Sequence, residues 1–163
     1  MESQHLLSQQ VGESLLRNRQ VLTTAESCTG GGVATAMTDI AGSSAWFDRA
    51  FVTYSNEAKM EMLGVKFTTL EEHGAVSEAT VVEMVNGALE NSNATIAASI
   101  SGIAGPGGGS DEKPVGTVCF AFADKSGWLH VATQHFDGDR ASVRQQAVAF
   151  VLTTIHQYLS QRS

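Results

Sequence analysis

Short strand-like runs alternate with longer segments of helical periodicity along this chain of 163 residues, and this alternation limits the possible folds more than any other feature. Apolar residues recur at helical spacing in 6–16, 33–40, 56–63, 77–90 and 139–159, whereas strand-like runs occupy 21–25, 51–54, 95–100, 115–123 and 128–136. The segment 124–127, Asp-Lys-Ser-Gly, joins the last two strands and is typical of a hairpin turn. We therefore predict one α/β domain over residues 1–163, a three-layer α/β/α sandwich on a mixed, mostly parallel sheet with one antiparallel hairpin.

The charge balance of the chain limits the kinds of molecule that we expect it to bind. Seventeen acidic and 10 basic residues give a formal net charge of -7, so we expect no nucleic-acid partner, since such partners require a basic surface. The sequence contains no apolar run of the roughly 18 to 20 residues that a membrane span needs, and its first residues lack the basic start of a secretory signal. We expect a cytoplasmic protein that has no membrane partner and acts on small molecules or proteins.

The spacing of cysteines and histidines argues against a metal site. Cys28 and Cys119 are far apart in sequence, and the five histidines include neither an i,i+4 pair nor an H-E-x-x-H motif. We expect two reduced thiols and no metal.

Two glycine clusters follow two of the predicted strands, at 30–32 and 102–109. The first belongs to a strand-to-helix turn that carries Ser27 and Cys28, where unpaired backbone N–H groups suit an anion or an oxyanion. The alternative is that Ser27 or Thr29 only caps the helix. The turn matches neither a Walker loop nor G-x-G-x-x-G. The second cluster allows close backbone approach to a ligand, or is simply a surface loop.

Lys59 and Tyr54 are the next candidates. They are five residues apart, so they do not form the Y-x-x-x-K pair of short-chain dehydrogenases. A lysine, whose ordinary pKa is about 10.4, acts as a base near neutrality only when it is desolvated or lies beside other positive charge. The alternative is a solvated lysine on a helix surface.

Arg140 and Arg144 lie near the predicted start of the last helix. Cations at a helix N-terminus oppose the helix dipole, so this position favours an anion bound there. Salt bridges to Asp137 and Asp139 would explain the same residues.

Seven sequence blocks resemble the CinA C-terminal domain family, over roughly residues 5–160. They are T-A-E-S-C-T-G-G at 24–31, G-S-S-A-W-F at 42–47, V-T-Y-S-N-E-A-K at 52–59, H-G-A-V-S-E at 73–78, S-G-I-A-G-P at 101–106, E-K-P-V-G-T-V at 112–118 and G-D-R at 138–140. Several blocks in register are far more specific than any single motif.

The resemblance implies a metal-free serine amidohydrolase that uses no cofactor and converts nicotinamide mononucleotide to nicotinate mononucleotide and ammonia in pyridine-nucleotide salvage. Carried over position by position, it makes Ser27 the nucleophile, Lys59 the base and Tyr54 a supporting hydroxyl. We assign substrate binding to Thr29, Gly30, Gly31, Asn56, Gly102, Ala104, Gly105 and Arg140. In this assignment the oxyanion binds at Thr29, Gly30 and Gly31, and the phosphate binds at the 102–109 loop with Arg140.

Two other readings remain open from the sequence. Cys28 is a rival nucleophile, because a thiol at a helix N-terminus can have a lowered pKa. A ligand-binding or interaction module that keeps the pocket without turnover is the alternative outside enzymes. We also expect a homo-oligomer, since exposed hairpin strands can pair with a second copy.

Overall fold

Five strands form one mixed sheet in the computed structural model, which describes residues 2–162. The strands are β1 (Leu22–Glu26), β2 (Phe47–Val52), β3 (Ile96–Gly102), β4 (Thr117–Asp124) and β5 (Leu129–His135), in the sheet order β2-β1-β3-β4-β5. β1 pairs in parallel with β2 and β3, whereas β4 is antiparallel to both β3 and β5. Four strands therefore run in one direction, which confirms the predicted mixed, mostly parallel sheet and its hairpin.

Helices cover both faces of this sheet. They are α1 (Glu2–Arg17), α2 (Gly32–Thr38), α3 (Asn56–Leu63), α4 (Phe67–His73), α5 (Glu78–Glu90) and α6 (Arg140–Ser160). One apolar core joins α1, α2 and α6 to one face, and a second joins α3, α4 and α5 to the other. This arrangement confirms the three layers. The predicted domain bounds include Met1 and Ser163, which lie outside the described residues.

Two local features differ from the predictions. The strand expected at 51–54 lies at Phe47–Val52, because an edge strand with half-exposed faces lacks the continuous apolar run that marks a buried strand. Helix α4 was not predicted, since its seven residues are too few to show a clear period. A residue of another helix stabilises α4: the Glu83 carboxylate on α5 accepts hydrogen bonds from the Lys66 N–H and the Thr69 hydroxyl.

The carboxyl ends of the parallel strands define the edge where a ligand would bind. In the sheet, β2 lies on one side of β1 and β3 lies on the other side. The direction in which successive strands are added therefore reverses at β1. Ligands of open α/β sheets bind outside the carboxyl ends of strands at such a switch point. Ser27 follows β1, Tyr54 follows the end of β2, and Ala104 follows the end of β3.

The hairpin turn is tied to the last helix through Asp124. Its carboxylate accepts hydrogen bonds from the Ser126 N–H and hydroxyl, the Trp128 N–H and the Tyr158 hydroxyl on α6. Burial alone would raise the pKa of Asp124, but these hydrogen bonds outweigh it and hold the pKa below its usual value. The carboxylate therefore stabilises the fold when ionised.

We expect Asp124→Asn to lower the free energy of unfolding at pH 7 by about 1.5 to 3 kcal/mol, because hydrogen bonds to a charged acceptor are lost. Since the folded-state pKa is depressed, this stabilisation is full above the ordinary pKa and disappears as the pH falls through the folded value. Urea unfolding of both proteins between pH 7 and pH 2 measures it. Asp111→Asn, at an exposed loop position, is the control, and an equal loss in that variant would contradict the prediction.

Candidate active site

Ser27 lies in the turn between β1 and α2, with its main chain held on both sides. Its N–H donates to the Ile100 carbonyl at 3.0 Å, and its own carbonyl accepts from the Gly30 N–H at 3.0 Å. Gly31, the residue before α2, has φ +97°, a conformation that strongly favours glycine. Ser27 itself is only 7% exposed. The turn therefore holds the hydroxyl in one place.

Lys59 approaches Ser27 from the first turn of α3. Ser55 caps this helix, because its hydroxyl accepts a hydrogen bond from the Ala58 N–H at 3.0 Å. Lys59 is 1% exposed, and its Nζ lies 3.0 Å from Ser27 Oγ. The same amine donates to the carbonyls of Thr53 at 2.9 Å and Tyr54 at 3.3 Å. Sequence position alone gave no sign that this lysine is buried.

The amine of Lys59 contacts three neutral oxygen atoms, two carbonyls and the Ser27 hydroxyl. No carboxylate is among these partners to stabilise its charged form. Burial lowers the pKa of Lys59, and the Cys28 thiol has a smaller effect in the opposite direction. The arrangement can therefore accept the Ser27 proton at a pH where an exposed lysine could not.

Tyr54 contacts this pair through its backbone rather than its phenol. Its carbonyl accepts from Lys59 Nζ and lies 3.5 Å from Ser27 Oγ. The side chain is 61% exposed, and its hydroxyl accepts a hydrogen bond from Arg140 Nη2 at 3.0 Å. Arg140 Nη1 also donates to the Gly105 carbonyl at 2.8 Å. Arg140 therefore links Tyr54 to the second glycine loop.

A cavity of about 210 Å³ opens beside Ser27 and Lys59. It is lined by Ser27, Cys28, Tyr54, Asn56, Lys59, Ala75, Val76, Ser101, Gly102, Ala104 and Arg140. Seven of the 11 site residues predicted from the sequence are in this lining, namely Ser27, Tyr54, Asn56, Lys59, Gly102, Ala104 and Arg140. The structure thus brings five distant sequence blocks to one cleft.

The other four predicted residues shape the surroundings of this cavity instead of lining it. The Thr29 hydroxyl donates to Glu26, and the Gly30 N–H is occupied by the Ser27 carbonyl. A side chain on Gly30 would lie 3.0 Å from Arg144, which donates to the Thr29 carbonyl. The expectation that the Gly30 N–H faces an oxyanion therefore does not match this geometry. Gly105 contributes its carbonyl to Arg140.

Sequence reasoning gave no role to three residues of the lining. Ala75 and Val76 form an apolar wall in the segment between α4 and α5, and Ser101 lies near the end of β3. Both segments belong to the blocks that carry the family resemblance, at 73–78 and 101–106. Their place in these blocks was the one sequence signal that could have indicated a role for Ala75, Val76 and Ser101.

Cys28 lines the same cavity but is a poor nucleophile. It is 5% exposed and packs within the core shared with α1, α2 and α6. Burial raises the pKa of its thiol to about 11, although its backbone N–H and Arg144 act in the opposite direction. The reactive thiolate is therefore scarce at neutral pH.

The two arginines of the 138–144 region keep their charge uncompensated. The ion pairs found within residues 2–162 involve Arg49 and His73, with Asp48 and Glu72 as their partners. Arg140 and Arg144 instead donate to neutral oxygen atoms. The salt bridges considered for Asp137 and Asp139 are not formed, and Asp139 caps α6 by accepting from the Ser142 N–H. A positive charge thus remains at the edge of the cavity.

The part of the chain that the structure describes contains no group of three or more histidine, cysteine, aspartate or glutamate side chains placed to hold a metal ion. Within the same described range, no helix is both long and apolar enough to cross a membrane.

Residues 4–159 match the model of the CinA C-terminal domain. The chain is 59% identical over 157 residues to the nicotinamide-nucleotide amidohydrolase PncC of Escherichia coli strain K12, with 96% of this chain and 95% of that protein covered. It is 50% identical over 146 residues to the PncC amidohydrolase of Pseudomonas putida, covering 90% of this chain and 91% of the relative.

Solved structures agree with the fold. A CinA superfamily protein of Klebsiella pneumoniae superposes with a TM-score of 0.93 at 43% identity, covering 97% of this chain and 98% of that one. The competence/damage inducible protein CihA of Agrobacterium tumefaciens gives a TM-score of 0.89 at 42% identity, covering 98% and 96%.

We expect Lys59 to titrate below the ordinary lysine pKa of about 10.4, because burial disfavours its charged form. Nitrogen-15 NMR of the Lys59 side-chain amine measures this, and Lys59→Met identifies its signal by removing it. Since the unfolded chain binds this proton more tightly, Lys59 makes the free energy of unfolding rise with pH between its folded pKa and about 10.4. A Lys59 signal that titrates at about 10.4 or above would contradict the prediction.

Proposed function

Because this chain belongs to the CinA C-terminal domain family, we propose that it is an amidohydrolase that converts nicotinamide mononucleotide to nicotinate mononucleotide and ammonia. The 3.0 Å contact between Ser27 Oγ and Lys59 Nζ, on the wall of a cavity, is the observation that carries this proposal. The PncC relatives named above, at 50 to 59% identity, support the choice of substrate.

In the first half of the proposed reaction, Ser27 Oγ attacks the carboxamide carbon while its proton passes to the Lys59 amine. The carbonyl oxygen becomes an oxyanion, and the tetrahedral intermediate then breaks its carbon–nitrogen bond. Lys59 returns the proton to the departing nitrogen, so that ammonia leaves and an ester remains on Ser27. The carbonyls of Thr53 and Tyr54 hold the amine in place during both proton transfers.

In the second half, a water molecule attacks the ester and gives a proton to Lys59. The ester bond breaks, the proton returns to Ser27 Oγ, and the acid product leaves and loses its own proton to the released ammonia, as a carboxylate and ammonium. The sum of the two halves is amide plus water giving acid plus ammonia, without any oxidant or metal. This chemistry needs Lys59 neutral at the start, as its lowered pKa favours.

The lining of the cavity suggests how the substrate is oriented. Ala75 and Val76 offer an apolar wall against which a flat pyridine ring can pack. Arg140, at the N-terminus of α6, offers an uncompensated guanidinium to the substrate phosphate. In the proposed orientation the ring packs on this wall, the phosphate binds Arg140 and the carboxamide faces Ser27.

The same proposal places the enzyme in pyridine-nucleotide salvage, since the product keeps its ribose phosphate. The homo-oligomeric state and the cytoplasmic location expected from the sequence stay predictions.

We expect Ser27→Ala and Lys59→Met to lower kcat for ammonia release by at least about a thousandfold, because each removes one member of a pair that acts as a unit. Cys28→Ala, the matched neighbour, should retain kcat within a few fold. Ammonia release from nicotinamide mononucleotide by the three purified variants measures this. Activity that survives in Ser27→Ala but vanishes in Cys28→Ala would move the nucleophile to the thiol. Binding of the nucleotide without any product from the unsubstituted protein would favour a ligand-binding module.

We expect Arg140→Gln to raise KM for nicotinamide mononucleotide by ten- to a hundredfold, because a charge-assisted hydrogen bond to phosphate is worth about 1.5 to 3 kcal/mol. KM for nicotinamide riboside, which lacks the phosphate, should not change. Steady-state kinetics with both substrates tests this, with Arg17→Gln on α1 as the control for loss of one positive charge. An equal rise in KM for both substrates would place the phosphate elsewhere.

A further inference from the structure

Glu26, the last residue of β1, is completely buried immediately before Ser27. Its carboxylate accepts four hydrogen bonds. The donors are the Thr24 hydroxyl at 2.9 Å, the Thr29 hydroxyl at 2.7 Å, the Val33 N–H at 3.0 Å and the Ala34 N–H at 3.0 Å. A buried carboxylate is tolerated only when it is satisfied in this way.

Two of these bonds replace the ordinary cap of α2. The residue before the helix is Gly31, which has no side chain to accept from the first N–H groups. Glu26 does so from the end of the preceding strand, because its two oxygens each take one N–H at the start of α2. The carboxylate thus ties the strand to the helix across the turn that carries Ser27.

The backbone of Glu26 contacts the other half of the catalytic pair. Its carbonyl accepts from the Thr53 N–H at 2.8 Å, and the Thr53 carbonyl in turn accepts from Lys59 Nζ at 2.9 Å. The side chain of Glu26 therefore fixes the turn of Ser27. Its main chain contacts the segment that holds Lys59.

We propose that Glu26 is a positioning residue for the reaction, which holds the Ser27 turn at the distance from Lys59 that proton transfer requires. This inference rests on the proposed function for its kinetic readout. Proton transfer and nucleophilic attack need near-contact geometry, and a misplacement of about 1 Å can cost on the order of a hundredfold in rate. A defect confined to geometry lowers kcat and leaves substrate binding, and thus KM, largely intact.

The test compares Glu26→Gln with Glu83→Gln. Glu83 is the matched control, because its carboxylate also stabilises a helix start from a distance, at α4, and it is not among the residues that line the cavity. Both variants lose one charged acceptor. Assays run well below the midpoint of thermal unfolding count only folded protein. We expect kcat to fall about a hundredfold in Glu26→Gln with KM within about twofold, and to be unchanged in Glu83→Gln.

A second readout does not depend on the natural substrate. A fluorophosphonate forms a covalent bond with an activated serine and releases fluoride, so its rate reports the reactivity of Ser27 directly. We expect this rate to fall in Glu26→Gln in parallel with kcat. If the unsubstituted protein reacts with the probe yet releases no ammonia from nicotinamide mononucleotide, the proposed substrate fails while the positioning role is still measured.

Equal kcat and labelling rates in Glu26→Gln and the unsubstituted protein would overturn the proposal, as would an equal loss in Glu83→Gln. An unsubstituted protein that the probe does not label at Ser27 would overturn it too. If Glu26→Gln does not fold, Thr24→Val removes one of the four donors while keeping the shape of the side chain. A several-fold loss of labelling rate in that variant supports the role, and an unchanged rate overturns it.

Discussion

The burial of an amine beside a serine hydroxyl is the constraint on which the rest of this structure depends. Lys59 is almost fully buried, and its partners are neutral oxygen atoms. A charged amine in such a place is costly, so the fold favours the neutral form. The same burial that lowers the stability of the protonated protein lowers the pKa of this amine. Perturbed groups of this kind concentrate at functional sites because reactivity there opposes stability.

The atoms that hold this amine belong mainly to the backbone. The carbonyls of Thr53 and Tyr54 lie in the short connection between the edge strand β2 and α3, outside the regular hydrogen bonding of the sheet and of the helix. The connection is itself fixed by the Thr53 N–H on Glu26 and by the Ser55 cap. Because main-chain acceptors persist under side-chain substitution, the position of the Lys59 amine is set by the path of the chain. The Ser27 turn depends more on one side chain, that of Glu26, which accepts hydrogen bonds from Thr29, Val33 and Ala34.

The alternation of patterns was enough to predict the layers, the hairpin and most elements, because periodicity is a local property. The site was less accessible. The sequence pattern by itself was compatible with a solvated Lys59 on a helix surface. Only the family resemblance paired this lysine with Ser27. Burial, which decides between the two readings, arises from helices α3 and α5 packing on the sheet. The wall of Ala75 and Val76 and the carboxylate of Glu26 were missed for the same reason, since both act through contacts that exist only after folding.

Electrostatics resolves the apparent conflict between an acidic chain and an anionic ligand. The net charge of -7 acts at long range, and salt screens such fields beyond about 10 Å. Within the cleft, the relevant charge is that of Arg140, whose hydrogen-bond partners are the neutral Tyr54 hydroxyl and Gly105 carbonyl. Those partners orient the guanidinium without neutralising it. A single phosphate can therefore be attracted locally although the chain as a whole carries a net negative charge.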